Sequence, residues 1–288
     1  TAPGERAPAA RAGAGGARGP VAFAGRSRYG AGMLAVTRFG PQEGRPLLIA
    51  HGLFGSARNW GVLARRLAAD RPVLTVDMRN HGDSPRHDAH DYPDLAADLS
   101  EVIAAHGGSA DVLGHSMGGK AAMALALTEP GRVGRLIVVD IAPVAYDHSQ
   151  ARLIHAMRGL QLSGLDSRAE ADRRLAATLP EPDVRAFLLQ SLDLRTAPPR
   201  WRLNLDALEA GMDAITGWPD IPGGFDGPVL FLSGGASDYV RPEHRAAIRA
   251  LFPAARFAKI PGAGHWLHAE KPRETEAAVA TFLQATDG

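Results

Sequence analysis

The chain of 288 residues contains no cysteine, and its charges nearly cancel. The absence of cysteine excludes disulfides, thiolate catalysis and cysteine-ligated metals. The formal net charge of +1 at pH 7 offers no electrostatic footprint for nucleic acid. No apolar run approaches the roughly 20 residues that a membrane-spanning helix needs, and no apolar signal segment opens the chain. We therefore expect a protein that neither spans a membrane nor binds nucleic acid.

Large apolar side chains are almost absent from residues 1–20, which consist mainly of Ala, Gly, Pro and Arg. Such a segment is too poor in apolar groups to pack, so we expect a disordered tail. It is basic, as organelle transit peptides are, but it lacks their serine and amphipathic periodicity. A cytoplasmic location is expected, with an organelle such as the mitochondrion as the alternative if this tail is a transit remnant.

Beyond the tail, apolar runs alternate with helical patterns, and an apolar content of 45% is ample for a core. Strands are predicted at residues 33–39, 47–50, 73–77, 110–113, 136–140, 229–232 and 256–260. Helices are predicted at residues 60–69, 92–106, 120–128, 241–251 and 273–284. Strands that alternate with helices predict an α/β fold whose mostly parallel sheet is covered on both faces.

The alternation is interrupted between residues 143 and 217. Helical patterns occur there at residues 149–160, 168–179, 183–192 and 203–215, with no strand between them. This pattern predicts a helical cap, inserted into a core formed by residues 21–142 and 218–288. Because the insertion follows the strand that ends at Asp140, we expect it to lie over the carboxyl edge of the sheet.

A nucleophile motif, Gly114-His-Ser-Met-Gly118, lies between a predicted strand and a predicted helix. Strand–Gly-x-Ser-x-Gly–helix is the context in which a sharp turn presents a serine hydroxyl above a sheet. The same turn directs the first free N–H groups of the helix towards a developing oxyanion. Ser116 is therefore the predicted nucleophile, and the Met117 N–H is a predicted oxyanion donor.

Two further Gly-rich loops supply candidate partners for this serine. His265, in the loop that follows the strand at 256–260, is the predicted general base, because a loop histidine can reach the serine while a carboxylate holds its Nδ1. The strand at 47–50 runs into His51-Gly-Leu-Phe-Gly55, whose task we predict to be aiming the Leu53 N–H at the oxyanion.

The acid has several candidates. The usual Gly-x-x-Asp-x-x-Val spacing after the strand at 229–232 places Ser237, rather than Asp238, at the acid position. Asp140 ends the strand that follows the nucleophile helix, and function in open α/β sheets collects at the carboxyl ends of strands. We favour Asp140, while Asp238 and Asp206 stay open as alternatives and Ser237 as a helper.

Aromatic residues in the predicted cap and at the loops are candidates for an apolar acyl pocket. They are Phe54, Phe187, Trp201, Tyr239 and Trp266. No metal or other cofactor is expected: the densest histidine cluster, at residues 87–91, is interpreted as a solvated loop.

Several stretches closely resemble the small α/β-hydrolase esterases of the bacterial YbfF type and their mitochondrial relative. These stretches are His51–Trp60, Val76–Pro85, Gly114–Lys120, Val139–Val144 and Gly262–Pro272. The resemblance spans roughly residues 32–286 and implies hydrolysis of carboxylic esters or thioesters. It also implies an acid at Asp140 with a helper at Ser237, whereas the mitochondrial relative suggests an acid at Asp206.

Three functions are compatible with these residues. The leading one is an ester or thioester hydrolase that works through an acyl-enzyme on Ser116, with small acyl or acyl-CoA-like substrates and no cofactor. A perhydrolase or acyltransferase would use the same residues. The third is a non-catalytic binding protein on a hydrolase scaffold, since a fold alone does not determine function. The oligomeric state is left open by the sequence.

Overall fold

A computed structural model describes residues 23–27 and 32–285, and the predicted tail at 1–20 lies outside this part. The strands are β1 Phe23–Ser27, β2 Ala35–Phe39, β3 Leu47–Ala50, β4 Val73–Asp77, β5 Ala110–His115, β6 Val133–Val139, β7 Leu192–Asp193, β8 Arg200–Trp201, β9 Val229–Gly234 and β10 Ala255–Ile260. The helices are α1 Gly61–Leu67, α2 Tyr92–Ala105, α3 Met117–Thr128, α4 Ala151–Gly159, α5 Arg168–Leu175, α6 Pro182–Leu189, α7 Leu205–Ala210, α8 Met212–Thr216, α9 His244–Leu251, α10 Leu267–Glu270 and α11 Pro272–Ala285.

In the described part of the chain, eight strands form one sheet in the order β1-β2-β4-β3-β5-β6-β9-β10. The six strands from β4 to β10 in this order run parallel, whereas β2 is antiparallel to both β1 and β4. The predicted α/β fold with a mostly parallel sheet is confirmed. Its carboxyl edge brings the loops after β3, β5, β6, β9 and β10 together.

The two faces of the sheet have separate cores because successive side chains of a strand point to opposite faces. In β6, Leu136 and Val138 pack into one apolar cluster, while Ile137 and Val139 pack into the other. The first cluster contains the apolar faces of α2 and α3, and the second contains those of α1 and α11. Every residue of β3, β4, β5 and β9 is buried, as expected for strands covered on both faces.

The segment between β6 and β9 carries five helices, α4 to α8. The sequence predicts no strand there, but β7 and β8 form a short antiparallel hairpin that pairs Leu192 with Trp201. One helix predicted at 203–215 is two, α7 and α8, which meet at Gly211. A Cβ at Gly211 would lie 3.1 Å from the His90 carbonyl oxygen, so the break coincides with a close approach of the core.

The remaining differences are two elements that the sequence does not predict and shifts at element boundaries. Strand β1 and the one-turn helix α10 are not predicted, because the sequence of β1, Phe-Ala-Gly-Arg-Ser, contains no run of large apolar residues and α10 is too short to show a period. Helix α3 begins three residues earlier than predicted, directly after Ser116. The first turn of α3 therefore begins directly at the predicted nucleophile.

Candidate active site

Ser116 is the residue at which the chain turns from β5 into α3. Its backbone dihedral angles, φ 53° and ψ −120°, are sterically costly for a residue with a side chain. The turn requires glycine on both sides for reasons of space: a Cβ on Gly114 would overlap the backbone of Gly118, and one on Gly118 would lie 2.5 Å from the Ala50 carbonyl oxygen. The predicted elbow is thus a tight, strained turn packed against β3.

Backbone strain is concentrated at the same edge of the sheet. Among the described residues, the non-glycine residues with positive φ are Phe54, Asn80, Ser116 and Asp140. They follow β3, β4, β5 and β6, respectively, which are four parallel strands of one sheet. Strain of this kind persists only where the surroundings hold the backbone in place, and it is frequent at functional sites.

The carboxylate of Asp140 lies one residue beyond β6, beside the strand that carries Ser116. The register pairs His115 with Val139, so Ser116 and Asp140 follow at the same level. Asp140 is fully buried, and its Oδ2 lies 2.7 Å from His265 Nδ1. Its Oδ1 accepts the Gly234 N–H at 3.0 Å. Hydrogen bonds of this kind offset the free-energy cost of burying a carboxylate.

The loop that carries His265 is held by two other side chains. The exposed carboxylate of Glu270 accepts the N–H of Gly264 at 2.7 Å and that of Trp266 at 3.3 Å, so it fixes the backbone on either side of the histidine. His115 Nε2 lies 2.9 Å from the His265 carbonyl oxygen. Burial lowers the pKa of His115 well below its usual range, so the neutral ring donates this hydrogen bond. Neither Glu270 nor His115 is a sequence-predicted site residue.

The other acid candidates have different surroundings. Ser237 Oγ donates to Asp140 Oδ2 at 2.5 Å, which places the residue at the usual acid position beside Asp140. Asp238 is exposed. Asp206, on α7, has a side chain that is 92% exposed and pairs with Arg158, in a groove separate from Ser116. The structure therefore brings together His265, Asp140 and Ser237, but not Asp206 or Asp238.

The predicted oxyanion donors, Leu53 and Met117, line one cavity with Ser116 and His265. Met117 is the first residue of α3, and the first N–H groups of a helix have no intrahelical acceptor. They also lie at the positive end of the helix dipole, which favours a developing negative charge.

Two buried histidines fix the loop that carries Leu53. His51 Nδ1 donates to the Gly52 carbonyl oxygen at 2.8 Å, and its Nε2 accepts the Met78 N–H at 2.9 Å. His81 Nε2 accepts the N–H of Phe54 at 3.1 Å. Burial lowers the pKa of His51 to about 4 and that of His81 to about 3, so both rings are neutral and can accept these hydrogen bonds at physiological pH.

The expectation of a solvated loop at residues 87–91 needs correction. His90 is only 3% exposed; its Nδ1 lies 3.2 Å from Asn80 Nδ2 and its Nε2 lies 3.3 Å from Met117 Sδ. Burial lowers its pKa to about 2. The sequence gives little signal of this burial because polar and charged residues surround His90, and only the fold brings it against the first residue of α3.

The cavity above Ser116 has a volume of about 240 Å³. Four of the five predicted pocket aromatics line it: Phe54, Phe187, Tyr239 and Trp266. Trp201 does not line this cavity. It is 7% exposed in the core of the inserted segment, and its indole N–H donates to the Met157 carbonyl oxygen at 2.8 Å. Trp201 lies on the β7–β8 hairpin, which the sequence does not predict, and this hairpin directs it into the core.

Lys120 is a further cavity residue that the sequence predictions do not include. Its side chain is 1% exposed, and its Nζ donates to the carbonyl oxygen of Thr216 at 2.9 Å and to that of Gly217. The ammonium also lies 4.8 Å from the ring centroid of Tyr146. Burial lowers the pKa of Lys120 to about 7. This lysine links α3 to the end of α8, where carbonyl groups at the helix C-terminus favour a cation.

A serine on a strand-to-helix turn, with a histidine–carboxylate pair at the same edge of a parallel sheet, defines the class of α/β hydrolases. The sequence profile of the α/β-hydrolase-fold family matches residues 45–272. This chain belongs to that family.

Individual relatives agree with this assignment. The chain is 42% identical over 246 residues to the sn-1-specific diacylglycerol lipase ABHD11 of Mus musculus. This alignment covers 82% of this chain and 80% of that protein. It is 40% identical over 251 residues to the esterase YbfF of Escherichia coli (strain K12), which covers 86% of this chain and 97% of that protein. A solved structure, a marine microorganism esterase, superimposes with a TM-score of 0.83 at 36% identity, over 88% of this chain and 100% of the other.

The predicted resemblance to YbfF-type esterases is confirmed, and so is an enzyme of the carboxylic-ester hydrolase class. None of the helices in the described part of the chain has the length and apolar character that crossing a membrane requires. The residues that the structure describes also contain no cluster of three or more His, Asp or Glu placed to hold a metal ion.

Proposed function

We propose that this chain is a serine hydrolase that cleaves small carboxylic esters through an acyl-enzyme on Ser116. The observation that carries the proposal is the 2.7 Å hydrogen bond between Asp140 Oδ2 and His265 Nδ1, since His265 lines the same cavity as Ser116. With Nδ1–H donated to the carboxylate, Nε2 of the neutral imidazole is free to accept the serine proton.

In the proposed acylation step, Ser116 Oγ attacks the ester carbonyl carbon and its proton passes to His265 Nε2. The carbonyl oxygen becomes an oxyanion that accepts hydrogen bonds from the N–H groups of Leu53 and Met117. Collapse of this intermediate breaks the bond to the alcohol oxygen, which takes the proton from His265. In deacylation, a water molecule gives its proton to His265 and attacks the acyl-enzyme, which releases the acid and restores Ser116.

Asp140 acts in both steps through His265. Its buried carboxylate keeps the proton on Nδ1 and stabilises the imidazolium that forms when Nε2 is protonated. Because Asp140 is held by Gly234 and Ser237, it is fixed before the substrate arrives. A fixed charge of this kind needs no reorganisation during the reaction.

The size of the cavity supports short acyl groups. The cavity of about 240 Å³ is smaller than the roughly 300–1,000 Å³ of sites that bind drug-sized ligands. We propose that residues 143–217 act as a cap that closes this space, since α6 contributes Phe187 to its wall and the ring of Phe187 lies 5.2 Å from that of Trp266. Longer acyl chains or large alcohol groups would extend beyond this cavity.

Covalent labelling tests the proposal. A fluorophosphonate probe is expected to modify Ser116 of the wild-type chain, as located by peptide mass spectrometry, and p-nitrophenyl acetate and butyrate are expected to be hydrolysed. Ser116→Ala is expected to lose labelling and to lose turnover by about 10⁴-fold or more, while Ser163→Ala, an exposed serine, is the matched control. A wild-type chain that neither labels nor turns over esters contradicts the proposal, as does substantial turnover by Ser116→Ala.

The same acyl-enzyme can transfer its acyl group to an alcohol instead of water. A relative that is 32% identical over 265 residues is named a probable alcohol acetyltransferase of Saccharomyces cerevisiae, which supports this second candidate. Adding ethanol to the ester assay separates the two: transfer yields the ethyl ester of the acyl group, and hydrolysis yields the free acid. Acyl-CoA substrates in the same assay test thioester cleavage.

A further inference from the structure

We propose that Tyr239 is a positioning residue for His265. The face of the Tyr239 ring holds the imidazole in its catalytic orientation and stabilises the imidazolium. The inference rests on the proposed function, because it assigns Tyr239 a part in proton transfer rather than only in the pocket wall. Tyr239 lies in the loop after β9, two residues beyond Ser237.

The two rings are stacked. Their centroids lie 4.0 Å apart with an interplanar angle of 21°, the shortest ring separation that His265 makes among the described residues. Rotation of the imidazole away from Asp140 would break this contact. The stack and the 2.7 Å hydrogen bond to Asp140 therefore restrict His265 from two directions.

Tyr239 is itself held at three points. Its hydroxyl lies 2.8 Å from His148 Nε2, and its carbonyl oxygen accepts the Tyr146 hydroxyl at 2.7 Å. Its N–H donates to Ser237 Oγ at 3.3 Å, and Ser237 in turn donates to Asp140. Tyr239 therefore belongs to the same hydrogen-bond network that holds Asp140. A residue that supports His265 needs such fixed placement, whereas a residue that only lines the pocket does not.

The face of a tyrosine ring carries negative electrostatic potential and attracts a cation stacked on it. His265 becomes a cation only while it carries the serine or water proton, so the attraction is stronger in the transition state than in the resting enzyme. Burial and the neighbouring Asp140 raise the pKa of Tyr239, so the ring stays a neutral phenol. Of the two other rings near His265, that of His115 is 4.7 Å away and neutral, and that of Trp266 is 6.2 Å away.

The experiment compares Tyr239→Leu and Tyr239→Phe with wild type. Tyr239→Leu is expected to lower kcat by about 10-fold, which corresponds to about 1.4 kcal/mol, equally for p-nitrophenyl acetate, butyrate and octanoate and with little change in KM. The rate of fluorophosphonate labelling is expected to fall by the same factor. Tyr239→Phe keeps the ring and is expected to restore most of kcat. Phe257→Leu, a half-buried aromatic on β10 outside the cavity, is the control for loss of a ring.

The outcomes separate this inference from the proposed function. A wild-type chain that labels normally, together with a Tyr239→Leu variant that labels and turns over at the wild-type rate, overturns the positioning role alone. So does a loss that depends on acyl length or appears in KM, because it marks Tyr239 as a pocket wall. A Tyr239→Phe variant as impaired as Tyr239→Leu overturns it too. Absence of labelling in wild type overturns the proposed function and the inference with it.

If circular dichroism shows Tyr239→Leu to be unfolded, Tyr239→Met takes its place with the same expected values.

Discussion

Ser237 Oγ lies 2.5 Å from Asp140 Oδ2, the oxygen that also accepts a hydrogen bond from His265 Nδ1. In the usual spacing, the position of Ser237 carries the acid itself. In this chain a hydroxyl occupies it, and the carboxylate that contacts His265 is that of Asp140, directly after the neighbouring strand β6. Because β6 and β9 are adjacent and parallel, the hydroxyl after β9 lies beside the carboxylate after β6 and donates to the same oxygen that contacts His265.

The first prediction concerns the acid. Asp140→Asn is expected to lower kcat by about 10⁴-fold, because an amide donates to Nδ1 and leaves the imidazole in the wrong tautomer. Steady-state kinetics measures the effect, and circular dichroism verifies the fold. Asp206→Asn and Asp238→Asn are the matched controls and should stay close to wild type. A loss of that size in either control, with Asp140→Asn active, would show that the acid lies elsewhere.

The second prediction concerns the hydroxyl beside the acid. Ser237→Ala removes one of the hydrogen bonds to Asp140 and is expected to lower kcat by about 10-fold, since a hydrogen bond to a charged group contributes about 1.5 kcal/mol. Ser237→Thr retains a hydroxyl and should recover most of the activity. Equal rates for Ser237→Ala and wild type would assign Ser237 no role in holding Asp140.

The third prediction separates pocket residues from core residues in the inserted segment. Phe187→Ala is expected to change the ratio of kcat/KM values across acyl lengths, because pocket contacts discriminate methylene groups by about 1–3 kcal/mol each. Trp201→Ala should instead lower the free energy of unfolding by about 3–5 kcal/mol and leave that ratio unchanged. A p-nitrophenyl ester series and urea unfolding measure the two effects. The assignment fails if Trp201→Ala alters acyl selectivity and Phe187→Ala does not.

The fourth prediction concerns acid sensitivity. The pKa of a histidine in the unfolded chain is about 6.5, but burial lowers that of His81 to about 3 in the folded chain. Between these values the unfolded chain binds more protons, so stability is full above about pH 6.5 and falls by about 1.4 kcal/mol per pH unit below it for each such histidine. His81→Gln is expected to reduce this slope between pH 6.5 and 4, as measured by urea unfolding. Ser163→Ala, at an exposed position that carries no titrating group, should leave the slope unchanged.

The fifth prediction uses the buried lysine. Burial lowers the pKa of Lys120 to about 7, against about 10.4 in an unfolded chain. The unfolded chain therefore binds the extra proton between these values, and wild type is expected to gain stability relative to Lys120→Met as pH rises from about 7 to 10. Unfolding by urea at several pH values measures the difference. Lys259→Met, at an exposed position, should show the same dependence of stability on pH as wild type. If the difference in stability between Lys120→Met and wild type did not change with pH, the burial of a titrating amine would be contradicted.

The sequence by itself determined the order of the longer strands and helices of the core, the elbow at Ser116 and the loop of His265. These features depend on local pattern: apolar periodicity, and glycine at the positions where a turn leaves no room for a Cβ. It also placed Asp140 at the end of a strand. Short-range signals of this kind need no knowledge of which strands become neighbours.

Only the tertiary structure brought the carboxylate of Asp140, rather than that of Asp206 or Asp238, to His265, because the pairing of β5, β6 and β9 decides which strand ends meet. It also buried His90, and it turned Trp201 away from the cavity through a hairpin too short to give a periodic signal. The same long-range packing stacked Tyr239 on His265, joining the loops after β9 and β10. Contacts between distant segments depend on which strands become neighbours, and the residue pattern within one segment does not specify this pairing.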